Sequence, residues 1–206
     1  MKSEAIQMQQ KYSAWNNDKN LWRAMIDAAD EHERLDNYLA GTYGTEGGAK
    51  ACSVGCSVRS ANKVLGLKIK QDSHRGLADA MGVPVFITRL QDRLFEGMAS
   101  ELRPAWTGRL FRAIRPGVDL SPVLPKFLLG LLESMPEQSG DIKKVVDQVK
   151  DVLVEWIKTG LADRKAANAA ANAAAYAADA ANAAYAAMAE SLISIINDVC
   201  AEDKPL

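Results

Sequence analysis

Two cysteines, Cys52 and Cys56, and both histidines, His32 and His74, fall within 43 consecutive residues of a 206-residue chain. Thiolate and imidazole in equal number are the ligand set of a tetrahedral zinc site. An i,i+4 pair on a helix lets both thiolates reach one ion. The spacing is C-x3-C rather than the common C-x2-C knuckle, and the histidines lie on other elements. A second chemistry is a cysteine nucleophile. Cys52 follows a glycine-rich run and opens a predicted helix, where a helix N-terminus lowers a thiol pKa. His32 or His74 would then be the base, and Asp36 would orient it. The third reading is structural, because free cysteine is among the most buried residue types and buried histidines are hydrogen-bonded. The residues leave these three open. Two other chemistries fail on spacing. Gly44 to Ala51 reads G-T-E-G-G-A-K-A and lacks the G-x-x-x-x-G-K-[ST] of a phosphate-binding loop. His32 is followed directly by Glu33, so the H-x-E and P-C-x-x-C pattern of zinc deaminases is absent.

The elements that position these groups read as helices. Asn16-Asn17-Asp18 supplies capping chemistry for a helix over 19–39, with Leu21, Trp22, Met25, Ala28, Ala29, Leu35 and Leu39 at helical spacing. His32 lies on that apolar face. A glycine-rich connection with Gly41, Gly44, Gly47 and Gly48 leads into a helix over 52–65. Residues 67–70 form an extended connector. Asp72 or Ser73 caps a helix that carries His74 in its first turn and ends at Met81. Pro84 opens the next, to Met98, and Pro104 another, closed by Pro116-Gly117. A further helix is predicted over 126–134. Residues 141–157 alternate apolar and charged positions with a 3-4 spacing. A short helix is also predicted over residues 3–12.

From Ala162 to Ala189, 18 of 28 residues are alanine, and no proline or glycine occurs between Leu161 and Val199. Such a run is a long helix rather than a disordered linker. Its small side chains allow close approach of a partner, with Asn168, Asn172, Tyr176, Asp179, Asn182 and Tyr185 as the candidate interface. It lacks the threonine row of an ice-binding helix. The fold class is therefore all-α: an irregular array of seven to nine helices ending in a long alanine-rich helix. The expected division is a core domain over 1–136 and a C-terminal pair over 141–201, folded back as a hairpin at Gly160.

The chain is 48% hydrophobic and 25% charged, with a formal net charge of −1. That balance gives no whole-chain case for nucleic acid. The N-terminal residues contain no apolar signal-type run, and FLLGLL, over 127–132, is far below a membrane span. The expectation is a cytoplasmic protein with reduced thiols and no membrane partner.

The runs ACSVGCSVRSANKVLG, DSHRGLADAMGVPVFITRLQDRLFEGM and FRAIRPGVDLSPVLPKFLLGLL resemble a family of uncharacterised phage and prophage proteins with a Cys-x3-Cys core and an Ala/Tyr-rich C-terminal helix. The resemblance covers residues 20–200, departs from the family pattern at Ala51 and Met98, and implies that Cys52, Cys56, His74 and Glu96 are family features. It implies a phage-type accessory protein that binds a protein partner, as an inhibitor of a host defence system such as an anti-CRISPR would. The alternatives are a metal- or cysteine-dependent enzyme built on His32, Cys52, Cys56 and His74, with Asp36 and Glu96 in support, and a self-associating structural protein such as a homodimer.

Overall fold

The computed structural model describes residues 12–45, 48–137, 139–160 and 185–203. Among them are eight α-helices and no strand: α1 Lys19–Arg34, α2 Ser53–Leu65, α3 His74–Met81, α4 Val85–Gly97, α5 Arg103–Ala113, α6 Val123–Glu133, α7 Gly140–Thr159 and α8 Tyr185–Glu202. The fold is all-α, as the periodicity predicts. Residues 3–11 of the helix expected over 3–12, and most of the alanine-rich run, with Asn168, Asn172, Tyr176, Asp179 and Asn182, lie outside the described residues. So does the hairpin expected at Gly160. Tyr12 is described and is not helical.

The chain forms two compact units, whose described residues are 12–120 with 185–203 in one and 121–160 in the other. In the smaller unit α6 packs on α7 through Leu128, Leu132, Val149 and Leu153, with Leu124, Leu131, Met135 and Trp156 around them. These positions recur every three or four residues, which puts them on facing stripes of the two helices. Ile142 and Val145, from the first half of the same periodic pattern, are instead 62% and 57% exposed.

The larger unit carries the candidate site. Its core is built on Trp15, Trp106, Phe95, Phe111, Met25, Ile87, Leu94 and Leu110, all buried. The indole N–H groups find carbonyls: Trp15 donates to Ile114 at 2.8 Å and Trp106 to Gln91 at 3.0 Å. Burying these rings without such partners would cost more than their area returns. Helix α1 packs on α2 and α5, α2 also meets α3 and α4, and α8 lies on α4 and α5.

Local chemistry sets the boundaries. The Asp18 side chain accepts from the backbone N–H groups of Asn20 and Leu21 and starts α1. Ser73 accepts from Gly76 N–H and starts α3, and Pro84 precedes α4. Helix α1 stops at Arg34, five residues before the sequence pattern does, because Asp36 takes a left-handed conformation with φ of 50°. The chain then runs extended, and Tyr38 forms an isolated parallel bridge with Ala51. Leu35 and Leu39, which continue the helical spacing, are 49% and 47% exposed rather than in the core.

Candidate metal centre

The site forms where the start of α2 meets the second half of α4. Cys52 is the N-cap of α2, and its sulfur accepts from Gly55 N–H at 3.5 Å. On α4, Asp92 and Glu96 are separated by four residues and so share a face. The Cys52 thiol donates to Asp92 Oδ1 at 3.3 Å. Asp92 Oδ2 accepts from the Tyr43 hydroxyl at 2.9 Å and from His74 Nε2 at 3.1 Å. Glu96 Oε2 accepts from Gly41 N–H at 2.8 Å. The rings of Tyr43 and His74 meet edge to face at 5.7 Å. Cys52 is buried at the floor, while the side chains of Asp92 and His74 are 16% and 21% exposed and reach solvent.

Two features hold this geometry. Gln91, next to Asp92 and fully buried, donates through Nε2 to Ser53 Oγ at 2.7 Å and to Ser57 Oγ at 2.9 Å. Ser53 also pairs with Thr107 at 2.7 Å, so a buried polar layer ties α2, α4 and α5 together directly behind the site. In front, the loop over 41–44 lies on the first turn of α2. Gly55 permits this, because a Cβ there would collide with the Tyr43 carbonyl and come within 2.8 Å of Ala51 Cβ. Cys52 N–H donates to Thr42 O at 2.6 Å across the same contact.

The four sequence-predicted ligands divide into two groups. Cys52 and His74 converge on Asp92. His32 and Cys56 converge on Asn37 instead. The Asn37 amide lies 3.1 Å from His32 Nδ1, and the Asn37 carbonyl accepts from the Cys56 thiol at 3.7 Å. Cys56 also meets Ala51 O at 3.5 Å. Asp36 does not orient His32. It pairs with Lys50 at 2.8 Å in solvent. Tyr185, a candidate interface residue, is buried with its ring against Gly97 in its own unit. Among the described residues, Cys52, Asp92 and Glu96 bring one ligand atom each within 4.8 Å of one another, which is close enough to chelate a metal ion. Tetrahedral bonds of about 2.0–2.3 Å put ligand atoms roughly 3.5 Å apart, and Cys52 Sγ and Asp92 Oδ1 already stand at 3.3 Å.

The electrostatics favour a cation. Asp92 and Glu96 stand in the last turns of α4, where the helix dipole is negative and carboxylates are least welcome. The Arg103 guanidinium offsets part of this by donating to the backbone carbonyls of Phe95 and Glu96. Burial pushes the Cys52 thiol up to about 12, with the Asp92 charge adding to it against the opposing Gly55 N–H. The activated thiol expected at a helix N-terminus is therefore not what the fold makes: desolvation outweighs the helix. Cys56 is likewise raised by burial, to about 11. Burial and the Asp92 carboxylate raise Tyr43, which keeps its hydroxyl a donor.

His32 gives a pH signature. With Asn37 Nδ2 donating to Nδ1, Nε2 carries the proton and donates to Ser60 Oγ at 3.0 Å. Burial, then the Arg59 charge, lowers its pKa from 6.5. The unfolded chain therefore binds the proton first on acidification. Stability from His32 is complete above about pH 6.5 and is lost as pH falls toward the lowered folded value. Urea midpoints measured between pH 7.5 and pH 5, on a scale set by that reference value of about 6.5, should fall less steeply in His32→Gln than in the wild type.

Sequence reasoning missed Asp92 and Tyr43. The available signal was the Asp92/Glu96 spacing of four on a helix whose opposite face carries Ile87 and Leu94. No family model matches the chain, and no curated protein or solved structure gives a significant match. The phage-protein resemblance accordingly rests on its own residues. No described helix is long and apolar enough to cross a membrane.

Proposed function

We propose that the protein is a metal-dependent hydrolase whose ion, zinc, is held by Cys52, Asp92 and Glu96. The observation that carries this reading is the convergence of one thiol and two carboxylates within 4.8 Å. A thiolate selects zinc over magnesium or calcium, and three protein ligands leave the fourth position for water or substrate, as catalytic zinc sites do. The proton that Cys52 shares with Asp92 Oδ1 is the one the ion would replace. Asp92 Oδ2 stays held by Tyr43 and His74, the outer hydrogen bonds that orient a ligating carboxylate. When bound, the ion would supply Lewis acidity and a water of lowered pKa. His74, next to Asp92 and open to solvent, would carry protons between the site and bulk water.

Calorimetric titration of the metal-free protein with zinc tests the reading. We expect one equivalent, with an affinity that rises about tenfold per pH unit because one thiol proton is released. Cys52→Ser should abolish binding and Cys56→Ser should retain it. Equal loss in both variants would refute the assignment.

Protein binding is the second reading. The exposed Ile142 and Val145 on α7 favour it, in keeping with the accessory-protein role that the phage resemblance implies.

A further inference from the structure

The segment that leads to the site is basic. Residues 62–75 contain Lys63, Lys68, Lys70 and Arg75 against one carboxylate, Asp72, in a chain of net charge −1. Arg89 adds a cation one turn before Asp92 on the same helix. Lys68, Lys70, Arg75 and Arg89 are exposed, and none forms an ion pair with another described residue. Elsewhere Lys50 pairs with Asp36, Arg109 with Glu190 and Arg112 with Asp30.

The backbone of this segment is fixed. The Asn62 amide brackets Ile69, donating to its carbonyl at 2.9 Å and accepting from its N–H at 2.7 Å. The Ile69 side chain rests where Gly76 has no Cβ. Ile69 is half-buried, while Lys68 and Lys70 on either side of it are exposed. Asn62 stands ten residues beyond Cys52, about 15 Å along α2. The chain returns over that length to put His74 on Asp92, and Thr88, next to Arg89, donates to the His74 carbonyl at 2.9 Å. The cations thus mark a strip that begins beside Asn62 and ends at the site.

We infer that this strip seats a nucleic-acid strand and that the bond hydrolysed at the Cys52, Asp92 and Glu96 site is a phosphodiester. A strip of about 15 Å is long enough to meet several successive phosphates of one strand. A small phosphate ester would use one end only. In the reaction a water oxygen bonds to phosphorus as an ester P–O bond breaks. One water proton goes to the leaving oxygen and the other is released, leaving a phosphate monoester and a free hydroxyl. The hydrolytic step rests on the proposed metal centre, but strand binding does not.

Fluorescence anisotropy with a labelled single-stranded oligonucleotide of about 12 nucleotides, in chelator, reads the strip alone. Binding is expected, with log K falling against log salt at a slope of about −3 for four phosphate contacts. Lys68→Glu/Lys70→Glu, with an unchanged circular dichroism spectrum, should weaken it at least about tenfold, consistent with two lost contacts. With zinc in place of chelator, the wild type should cut the strand, whereas Cys52→Ser should bind it as the wild type does and leave it uncut, which separates failure of the strip from failure of the metal centre. No salt-dependent binding, an unchanged double variant, or equal affinity for a polyglutamate of the same charge would overturn the inference.

Discussion

Gly55→Ala is expected to lower the stability of the larger unit by about 3 kcal/mol, the upper end of the usual cost of overpacking a core. The added methyl meets the Tyr43 carbonyl and Ala51 Cβ, and neither is the free end of a flexible side chain. Relief requires the loop over 41–44 to lift from α2. That would break the 2.6 Å bond from Cys52 N–H to Thr42 O and withdraw the Tyr43 hydroxyl from Asp92. Urea denaturation followed by circular dichroism measures the loss. Gly130→Ala, in α6 where nothing lies within 4 Å of the added methyl, should go the other way and stabilise its helix by up to about 1 kcal/mol. A Gly55→Ala protein as stable as the wild type would mean that the loop does not rest on α2.

The second large effect is expected at Asp92. Asp92→Asn conserves size and keeps an oxygen for Tyr43 and His74, so the fold should hold to within about 1.5 kcal/mol. Zinc affinity should fall by more than about 100-fold, beyond what loss of an outer-shell hydrogen bond costs. The same substitution should lower the Cys52 thiol from about 12, because the carboxylate charge is removed, yet leave it above the ordinary thiol value, because burial is the larger cause. Reaction with a thiol reagent as a function of pH reads that shift. Retained zinc affinity in Asp92→Asn would remove Asp92 from the centre.

Much of the scaffold was legible because its punctuation is local. Asp18, Ser73, Pro84 and the Pro116-Gly117 pair each act within a few residues, and they bound α1, α3, α4 and α5 as expected. The end of α1 was not legible. Leu35 and Leu39 continue its apolar spacing, but the backbone leaves the helix at Asp36 to bring Tyr38 to Ala51.

The site was half legible. Cys52 and His74 stand out as residue types, Glu96 enters only through the phage-protein resemblance, and Cys56 and His32 look equivalent to the first two. What separates the pairs is which single residue each pair meets, Asp92 or Asn37, and that depends on how α4 and the loop after α1 pack on α2. Asp92 itself reads as one more solvated charge between Gln91 and Arg93. Its role follows from the buried Gln91 layer that turns this face of α4 toward Cys52, a contact between residues forty apart in sequence.

X-ray absorption at the zinc edge of the zinc-loaded protein tests the metal centre most directly. The expected shell is one sulfur at about 2.3 Å with oxygen ligands at about 2.0 Å. A shell of two sulfurs and two imidazole nitrogens, which would require Cys56 and His32 to leave Asn37 and join Cys52 and His74, would contradict it.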